Sequence, residues 1–399
     1  MKNILLLTNI YPMNDPAYDG TPVCHFFTRE WRKKGYNVKV VHFMSLFPRP
    51  YYWVGRLFGD AIAAKTGFVT YSHPARHCQS YEVEGVPVLY VPIPKCIPHR
   101  NFAERRIQEA FDHVCKVLAE ENFVPDAVTA HFPLPQLEML YLFKQKFPAA
   151  KTCLVLHGDG SQIPEIYKEN YPRYMDAVEV WGFRSLAFKN QFEAIFGARP
   201  KEFLCYSGIP DAFLCHADKT FEQGVRKFVF VGSLFKLKNV DVTLKALHLA
   251  FPAHDFEFHV VGSGAEESAL RSLTDELGLH SQVFFHGQQK REEAQKVVAE
   301  ADCFVMVSSR EAFGLVYVEA MAKGCVTVAT KGQGVDGLIV DGENGFLCES
   351  DNVEALATTL KQIRSLSADQ LRAISRKAVD TAAELTDAKV AAYYLSQIM

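Results

Sequence analysis

Short runs of apolar residues alternate with longer amphipathic stretches along most of the chain. A short apolar run bounded by turn-forming residues is typical of a buried strand, whereas apolar positions three or four residues apart are typical of a helix. In the first half the pattern predicts strands at Ile4–Thr8, Val38–Phe43, Val86–Val91, Ala127–Ala130, Cys153–Leu156 and Phe203–Tyr206. Strands separated by helices form parallel sheets with right-handed crossovers, so this half predicts a Rossmann-like domain.

The second half repeats the alternation more strictly after Ser207–Gly224, which mixes glycine, proline and charged residues in the manner of a linker. Strands are predicted at Phe228–Val231, Phe256–Val261, Val283–His286, Cys303–Val307 and Cys325–Ala329. We therefore predict an α/β protein with domains at 1–206 and 225–383, joined by the linker 207–224 and followed by a helix at 384–399.

A predicted buried helix in the second domain contains an acidic residue. Leu315–Lys323 is apolar at almost every position, as in a helix that is buried on all sides, yet Glu319 lies in its middle. A buried carboxylate is costly unless a partner satisfies it. That partner is either a neighbouring arginine or lysine, or a ligand that carries hydroxyl groups. Side chains lean toward the helix N-terminus, so Glu319 is expected to point toward the loop that holds Glu311.

The start of this helix has the features of an anion site. Gly314 lets a bulky group approach the backbone, and it follows Phe313 in the loop after Glu311. The free N–H groups of Leu315 and Val316, assisted by the helix dipole, would face a phosphate. A phosphate at a helix start, flanked by carboxylates for hydroxyl groups, describes a sugar nucleotide site.

The spacing of these residues resembles a known motif. The pattern Glu311-Ala-Phe-Gly-Leu-x-x-x-Glu319 is similar to the E-x7-E motif of the retaining family 4 glycosyltransferases, and the likeness is strongest from Val229 to Glu349. The resemblance implies the GT-B fold, in which two Rossmann-like doubly wound domains face a central cleft. It also implies that the C-terminal helix 384–399 crosses back onto the first domain.

The same resemblance implies roles for the acidic and basic residues. Glu319 would hold the ribose hydroxyls, and Glu311 would bind the transferred sugar and stabilise positive charge at its anomeric carbon. Lys238, with the amides of Gly314, Leu315 and Val316, would stabilise the departing diphosphate. The leaving phosphate would accept the proton of the acceptor, so no side-chain base is assigned.

Three further turns follow predicted strands of the second domain, where open parallel sheets bind their ligands. Gly232 and Ser233 follow the first strand. Ser233 stands where the family usually has arginine, so one of the cations expected around the diphosphate is missing. Gly262 lies in a Gly-Ser-Gly turn that either contacts the donor or serves as a tight strand-to-helix turn. Gly287 follows the strand expected near the nucleotide base. The turns around Gln333 and Asp336 are interpreted as mainly structural.

The first domain contributes two predicted site residues. Gly20 lies in the loop after the first strand, where the family uses a glycine to admit the donor diphosphate and the acceptor. His157 matches a family histidine that contacts the transferred sugar, although a histidine at a strand end is often a purely structural residue. His131, at the end of the preceding strand, is placed more weakly on the acceptor side.

Composition narrows the class of protein. A net charge of -3 gives no reason to expect nucleic acid as a partner. The ten cysteines form no CxxC pair and several lie in apolar runs, which indicates small core residues in a reducing compartment. No run is long enough to span a bilayer, and the N-terminal apolar run is too short for a signal peptide, so we expect a cytoplasmic protein.

Two observations bear on metals and membranes. The sequence contains no Asp-x-Asp, the motif with which metal-dependent sugar transferases of another fold hold Mg²⁺ or Mn²⁺, so no metal or other cofactor is expected. The region 47–68 is aromatic and carries two arginines and a lysine. It is interpreted as an acceptor-side lid or, if the acceptor is lipid-linked, as a peripheral contact with the inner face of the membrane.

The sequence thus predicts a metal-independent retaining glycosyltransferase that uses a nucleoside diphosphate sugar, with UDP the commoner choice in the family. Its acceptor would be a hydroxyl of a glycan, such as a growing surface polysaccharide, or of a lipid-linked glycan. Two alternatives stay open: a nucleotide-sugar epimerase, which would turn over the donor alone, and a non-catalytic sugar-nucleotide binding protein, which would release no nucleoside diphosphate.

Overall fold

A computed structural model of the chain describes residues 1–13, 22–50, 52, 75–95, 101–214 and 219–399. The described residues form two compact units. Unit 1 comprises Met1–Arg184, Phe188–Ser207 and Asp387–Met399, and unit 2 comprises Ser185–Ala187 and Gly208–Thr386. Each unit is a layered α/β structure around one sheet.

The strands of unit 1 are β1 (Asn3–Thr8), β2 (Asn37–Leu46), β3 (Gln79–Val83), β4 (Val86–Pro94), β5 (Ala127–His131), β6 (Lys151–Leu156), β7 (Val180–Phe183) and β8 (Glu202–Leu204). The helices are α1 (Val23–Lys33), α2 (Glu104–Glu120), α3 (Gln136–Lys146), α4 (Ile163–Tyr167), α5 (Tyr171–Asp176), the greater part of α6 (Leu186–Phe196) and α13 (Asp387–Ile398). The sheet has the order β3-β4-β2-β1-β5-β6-β7-β8, and every pair in it is parallel except β3 with β4.

The apolar pattern located most of this sheet. The strands predicted from runs such as Ile4–Thr8 and Val38–Phe43 are present with ends shifted by a few residues. Strand β7 escaped prediction because it is four residues long and contains Gly182, which weakens a strand pattern. A Cβ on Gly182 would lie 2.9 Å from the Phe203 ring, so tight packing against the neighbouring strand explains the glycine.

Helix α13 belongs to the fold of unit 1 although it ends the chain. It packs against α1, where the Trp31 indole N–H donates to the Ala391 carbonyl at 2.9 Å. The Arg29 guanidinium pairs with the Asp387 carboxylate, with 3.0 Å between the charged atoms. These contacts bury one face of α13 and fix its start.

The strands of unit 2 are β9 (Lys227–Val231), β10 (Glu257–Val261), β11 (Val283–Gly287), β12 (Cys303–Val305), β13 (Val326–Thr330) and β14 (Phe346–Cys348). The helices are α7 (Val240–Ala250), α8 (Glu267–Glu276), α9 (Arg291–Glu300), α10 (Leu315–Ala322), α11 (Val353–Ser365) and α12 (Ala368–Ala383). The sheet is entirely parallel, with the order β11-β10-β9-β12-β13-β14.

The predicted strands of unit 2 are all present. Strand β14 escaped prediction because it has three residues and follows a long series of turns. The predicted buried helix is present as α10, which is eight residues long, and its residues from Tyr317 onward are buried.

Two further expectations concern the whole chain. The cysteines of the described ranges carry free thiols, and all of them except Cys78 are buried, as expected for small core residues. Among the described helices, none combines the length and the apolar character needed to cross a bilayer.

Candidate functional site

Three loops of unit 2 are tied together where adjacent parallel strands end. They follow β9, β12 and β13, which are neighbours in the sheet. The Ser309 N–H donates to the Leu237 carbonyl at 2.9 Å, which joins the loops after β9 and β12. The buried side-chain amide of Asn239 donates to the Val307 carbonyl and to the Ser309 hydroxyl, at 2.8 and 3.0 Å. Sequence reasoning missed Asn239, although an asparagine that joins a short turn to a helix start signals a left-handed residue, and its φ is +54°.

An ion pair joins two of the predicted catalytic residues. Lys238 ends the 3-10 turn Lys236–Lys238, and its Nζ lies 2.6 Å from Oε2 of Glu311. The Lys238 side chain is 19% exposed and the Glu311 side chain is 14% exposed. The pair therefore reaches solvent, although most of its surface is covered. A cation and a carboxylate are thereby held side by side at the carboxyl edge of the sheet.

The loop after β13 holds Glu311 from the other side. The Glu311 carbonyl accepts from the Gly334 N–H at 3.0 Å, and its own N–H donates to the side-chain oxygen of Gln333 at 3.3 Å. The Asp336 carboxylate accepts from the Gly332 N–H, and this bond closes the turn. The interpretation of this segment as turns is therefore confirmed, and Gln333 in addition supports the backbone of the candidate site.

The start of α10 lies in the same group of loops. Gly314 is the N-cap, with φ at +77°, and within the described ranges no side chain caps this helix. Leu315 and Val316 are half-buried, whereas Phe313 is buried in the core. A helix start without a side-chain cap leaves its first-turn N–H groups available to an anion.

The reason predicted for Gly314 needs correction. We expected its missing side chain to admit a ligand, but a Cβ at Gly314 would lie 2.5 Å from the ring of Tyr317. The protein's own aromatic ring fills that space, and the Tyr317 hydroxyl donates to the Met306 carbonyl at 2.7 Å. The glycine is explained by close packing and by its positive φ, not by a bound molecule.

Glu319 has partners within the protein, which is the first of the two alternatives that the sequence left open. Its Oε1 accepts from Nε and Nη2 of Arg291 at 2.8 and 2.5 Å, and its Oε2 accepts from the side-chain amide of Gln295 at 2.6 Å. Both partners lie on α9, so the carboxylate turns toward that helix and not toward the Glu311 loop. Burial raises the pKa of Glu319, and the Arg291 guanidinium opposes the rise. The burial of this carboxylate is thus explained within the protein.

The Gly-Ser-Gly turn serves backbone packing. A Cβ on Gly262 would lie 1.9 Å from the Gly232 carbonyl oxygen, and one on Gly264 would lie 2.5 Å from the Leu234 carbonyl oxygen. The Gly232 N–H donates to the Val261 carbonyl, and the Gly262 N–H donates to the Gly287 carbonyl, at 3.0 and 2.8 Å. The N–H groups of Gly232 and Gly262 are thus already bonded within the protein, which favours the alternative of a tight strand-to-helix turn at Gly262.

Replacing Gly262 with alanine should destabilise unit 2 by about 1–3 kcal/mol, because the new methyl group forces two backbone segments apart. Gly287→Ala is the matched control: its φ is +66°, but its Cβ would meet nothing within 4 Å. Urea unfolding followed by far-UV circular dichroism measures both variants. Equal losses in the two variants would show that backbone conformation, and not the close approach at Gly262, sets the cost.

The loop that contains Ser233 carries two lysines, Lys236 and Lys238, whose contacts differ. Ser233 is exposed, and within the described part of the chain its side chain makes no hydrogen bond. The ammonium of Lys236 pairs with the Asp241 carboxylate at 2.7 Å and points to the surface, where its side chain is 69% exposed. Lys238 is therefore the lysine of this loop that the fold holds beside Glu311.

In unit 1 the structure pairs His131, the last residue of β5, with His157, which directly follows β6. His131 Nδ1 and His157 Nε2 lie 2.9 Å apart, and the His157 ring stacks on Phe132 with the ring centres 3.9 Å apart. His131 is fully buried, and burial lowers its pKa to about 3, with a further lowering from Arg184. Its weak assignment to the acceptor side was wrong, since it has no surface to offer a ligand.

His157 keeps some exposure, and its predicted contact with the transferred sugar stays a prediction. Burial of the ring, followed by the charge of Arg184, holds the pKa of His157 well below its ordinary value. It is thus a neutral imidazole at neutral pH. Arg184 itself was missed by sequence reasoning: it is buried at the end of β7, where it donates to the Cys205 carbonyl at 2.6 Å and to the Ser207 hydroxyl.

Two predictions of the first half lie outside the described residues. Gly20 belongs to 14–21, and most of the aromatic region 47–68 belongs to 51 and 53–74. Of that region the structure describes 47–50 and Tyr52, whose hydroxyl accepts from the Phe47 N–H at 2.8 Å.

Comparison with known proteins finds a family match in the second half of the chain. Residues 215–381 match the family described as glycosyl transferases group 1. A D-inositol 3-phosphate glycosyltransferase of Mycobacterium leprae is 38% identical over 176 residues, which is 41% of this chain and 40% of that protein. The chain thus matches less than half of the length of this relative.

The solved structures extend the similarity to the whole chain. The apo form of the lipopolysaccharide outer core galactosyltransferase WaaB superposes with a TM-score of 0.69 at 14% identity, covering 99% of both chains. HepE from Anabaena, in complex with UDP, gives a TM-score of 0.68 at 17% identity and covers 99% of both. Together with the two parallel-sheet units, these matches confirm the predicted GT-B fold, and residues 215–381 within it match the group 1 glycosyl transferase family.

Proposed function

We propose that the chain is a retaining glycosyltransferase that moves a sugar from a nucleoside diphosphate sugar, UDP-linked, to a hydroxyl of a glycan or lipid-linked acceptor. The observation that carries the proposal is the Lys238–Glu311 pair, held at the carboxyl ends of neighbouring parallel strands beside the first turn of α10. The group 1 family match supports the activity, and the UDP in HepE supports the choice of nucleotide.

Lys238 and the N–H groups of Leu315 and Val316 are assigned to bind the leaving diphosphate. Before the donor binds, the lysine is paired with Glu311, so a phosphate oxygen replaces the carboxylate as its partner. A lysine ammonium and a helix N-terminus both stabilise the negative charge that grows on the phosphate as the bond breaks. No metal ion is assigned to this step.

Glu311 is assigned to the transferred sugar. Once Lys238 turns to the phosphate, the carboxylate is free to accept hydrogen bonds from sugar hydroxyls and to stabilise positive charge at the anomeric carbon. In the proposed reaction the bond from that carbon to the phosphate oxygen breaks, and the acceptor oxygen bonds to the same face. The acceptor proton passes to the leaving phosphate, so atoms and charge balance without a side-chain base.

A screen of UDP-, GDP- and ADP-sugars against glycan acceptors, read by nucleoside diphosphate release, tests the proposal. We expect release with a UDP-sugar that depends on the acceptor, persists in EDTA, and gives a product with the anomeric configuration of the donor by NMR. A new sugar nucleotide formed without acceptor would establish an epimerase instead. Donor binding without release across all acceptors would establish a binding protein and refute the transferase.

A further inference from the structure

A series of side-chain hydrogen bonds runs from the turn that carries Lys238 to the loop after β14. Asn239 directly follows Lys238 and is 2% exposed. Its side-chain amide donates to the Val307 carbonyl at 2.8 Å and to the Ser309 hydroxyl at 3.0 Å. The Ser309 hydroxyl in turn donates to Oδ2 of Asp351 at 2.9 Å. Neither Ser309 nor Asp351 has a role in the sugar transfer proposed above.

The chemistry of the groups fixes the direction of each hydrogen bond in this series. A carboxylate accepts and cannot donate, so Asp351 takes the single hydroxyl proton of Ser309. The Ser309 oxygen is then left to accept, and the Val307 carbonyl can only accept. Both partners of the Asn239 side chain therefore require N–H donors, which its amide nitrogen supplies. The carboxylate of Asp351 thereby determines which way the buried amide of Asn239 is turned.

Backbone conformation alone does not explain the choice of asparagine at position 239. Its φ is +54°, in the left-handed region that asparagine tolerates better than most residues. Its N–H donates to the Lys236 carbonyl and its carbonyl accepts from the Thr243 N–H, both at 3.1 Å, so it closes the 3-10 turn and begins α7. Glycine would adopt the same φ, but it would leave the Val307 carbonyl and the Ser309 oxygen without the amide that bonds to them.

The turn held in this way is the one that presents Lys238. The Ser309 N–H donates to the Leu237 carbonyl at 2.9 Å, so Ser309 contacts the residues on both sides of Lys238. Ser309 is also only two residues before Glu311. A lysine side chain is flexible, so its 2.6 Å contact with Glu311 requires that the two loops be held together by other groups.

We infer that Asn239, Ser309 and Asp351 act together as positioning residues for Lys238. They hold its turn against the loop that carries Glu311, so that the ammonium is in place for the leaving diphosphate. The inference rests on the proposed function through the role assigned there to Lys238. Displacing a group by about 1 Å can lower an enzymatic rate by 10²-fold, so anchors that do not touch the substrate still affect the rate of transfer.

Lysine labelling of the full chain tests the positioning without any measurement of transfer. The protein is treated with a low concentration of acetic anhydride, and the acetylation rates of Lys238 and Lys236 are measured by mass spectrometry. Asn239→Gly permits the positive φ and removes the side-chain amide. It should raise the rate at Lys238, which is 19% exposed, at least about threefold by loosening its turn. The rate at Lys236, which is 69% exposed, should stay the same.

Asn344→Gly is the matched control for the loss of a buried asparagine. Asn344 is 7% exposed and lies in the same unit. Its amide likewise donates two hydrogen bonds, to the Leu338 carbonyl and the Thr381 hydroxyl, each at 3.0 Å. Because neither partner belongs to the loops that hold Lys238, Asn344→Gly should leave the labelling of that lysine unchanged.

Asp351→Gly tests the far end of the hydrogen-bond series. The φ of Asp351 is +54°, so glycine retains the backbone, and the exposed position keeps the test decisive if Asn239→Gly fails to fold. We expect the labelling rate of Lys238 to rise by about twofold, because Ser309 loses its acceptor and no longer fixes the amide of Asn239. Asp351→Asn keeps a side-chain oxygen that accepts from Ser309 and should restore the rate of the unaltered chain.

Kinetics show whether the effect on transfer passes through the lysine. Asn239→Gly should lower kcat by about 10-fold in the unaltered chain but by less than about twofold in a Lys238→Met background, since an absent lysine cannot be misplaced. Equal losses in both backgrounds, or a Lys238 labelling rate that neither Asn239→Gly nor Asp351→Gly changes, would overturn the inference. If the unaltered chain transfers no sugar, the proposed function fails, whereas the labelling rates still decide whether these residues position Lys238.

Discussion

Lys238→Met is expected to lower the rate of sugar transfer by about 10²–10³-fold, the effect typical of removing one preorganised group that stabilises developing negative charge. The methionine retains an apolar stem of similar length but cannot neutralise a leaving phosphate. Lys236→Met is the matched control, because that lysine lies two residues away and pairs with Asp241 at the surface. The measurement is kcat for nucleoside diphosphate release, with folding checked by circular dichroism.

Glu311→Gln separates the two members of the ion pair. The substitution keeps the shape of the side chain and frees Lys238 from its 2.6 Å contact with a carboxylate. We expect kcat to fall by at least about 10²-fold, while affinity for the nucleoside diphosphate product stays the same or increases by a few fold. A parallel loss of product affinity would mean that Glu311 only orders the loop, and the proposed role at the sugar would then fail.

The fold was predictable where the apolar pattern is regular. Parallel strands buried on both faces, such as Ile4–Thr8 and Phe228–Val231, are apolar throughout, and the helices between them carry breakers at their ends. The pattern fails where a strand is mostly exposed, as β3 is, or carries a glycine for packing, as Gly182 in β7 does. The loops after β9, β12 and β13 were also predictable as a group, because the carboxyl ends of parallel strands meet at one edge.

The partners of the charged groups were less predictable. Lys238 and Glu311 could be singled out separately, but their contact depends on Asn239 and Gln333, which join three loops far apart in sequence. For Glu319 the residues alone allowed a protein partner or a ligand, and the family resemblance then assigned the carboxylate to the ribose hydroxyls. Arg291 and Gln295, four residues apart on one face of α9, were the signal for the protein partner, and only packing shows which helix that face meets.

The Glu319 cluster makes a prediction about stability. Replacing Glu319 with leucine should lower the free energy of unfolding by about 3 kcal/mol, because it leaves the Arg291 guanidinium and the Gln295 amide in a mostly buried site without their acceptor. Since the Arg291 side chain is 32% exposed, the lower end of the range for broken buried pairs applies. The double variant Glu319→Leu/Arg291→Leu should recover part of the loss, because hydrophobic replacement of a whole buried pair is often tolerated.

Urea unfolding followed by far-UV circular dichroism is the appropriate measurement, because the tryptophans Trp31, Trp53 and Trp181 all lie in the first half of the sequence and do not report on unit 2. Glu293→Gln is the matched control: it removes an exposed i,i+3 pair with Lys296 on the same helix α9, and should cost less than about 0.5 kcal/mol. The isosteric variant Glu319→Gln tests whether the carboxylate also binds the ribose of the nucleotide. If the carboxylate serves the protein alone, folded Glu319→Gln should bind UDP within about threefold of the unaltered chain. A large loss of UDP affinity that disappears with 2′-deoxy-UDP would return Glu319 to the nucleotide site, because only a contact with the ribose hydroxyl predicts that difference.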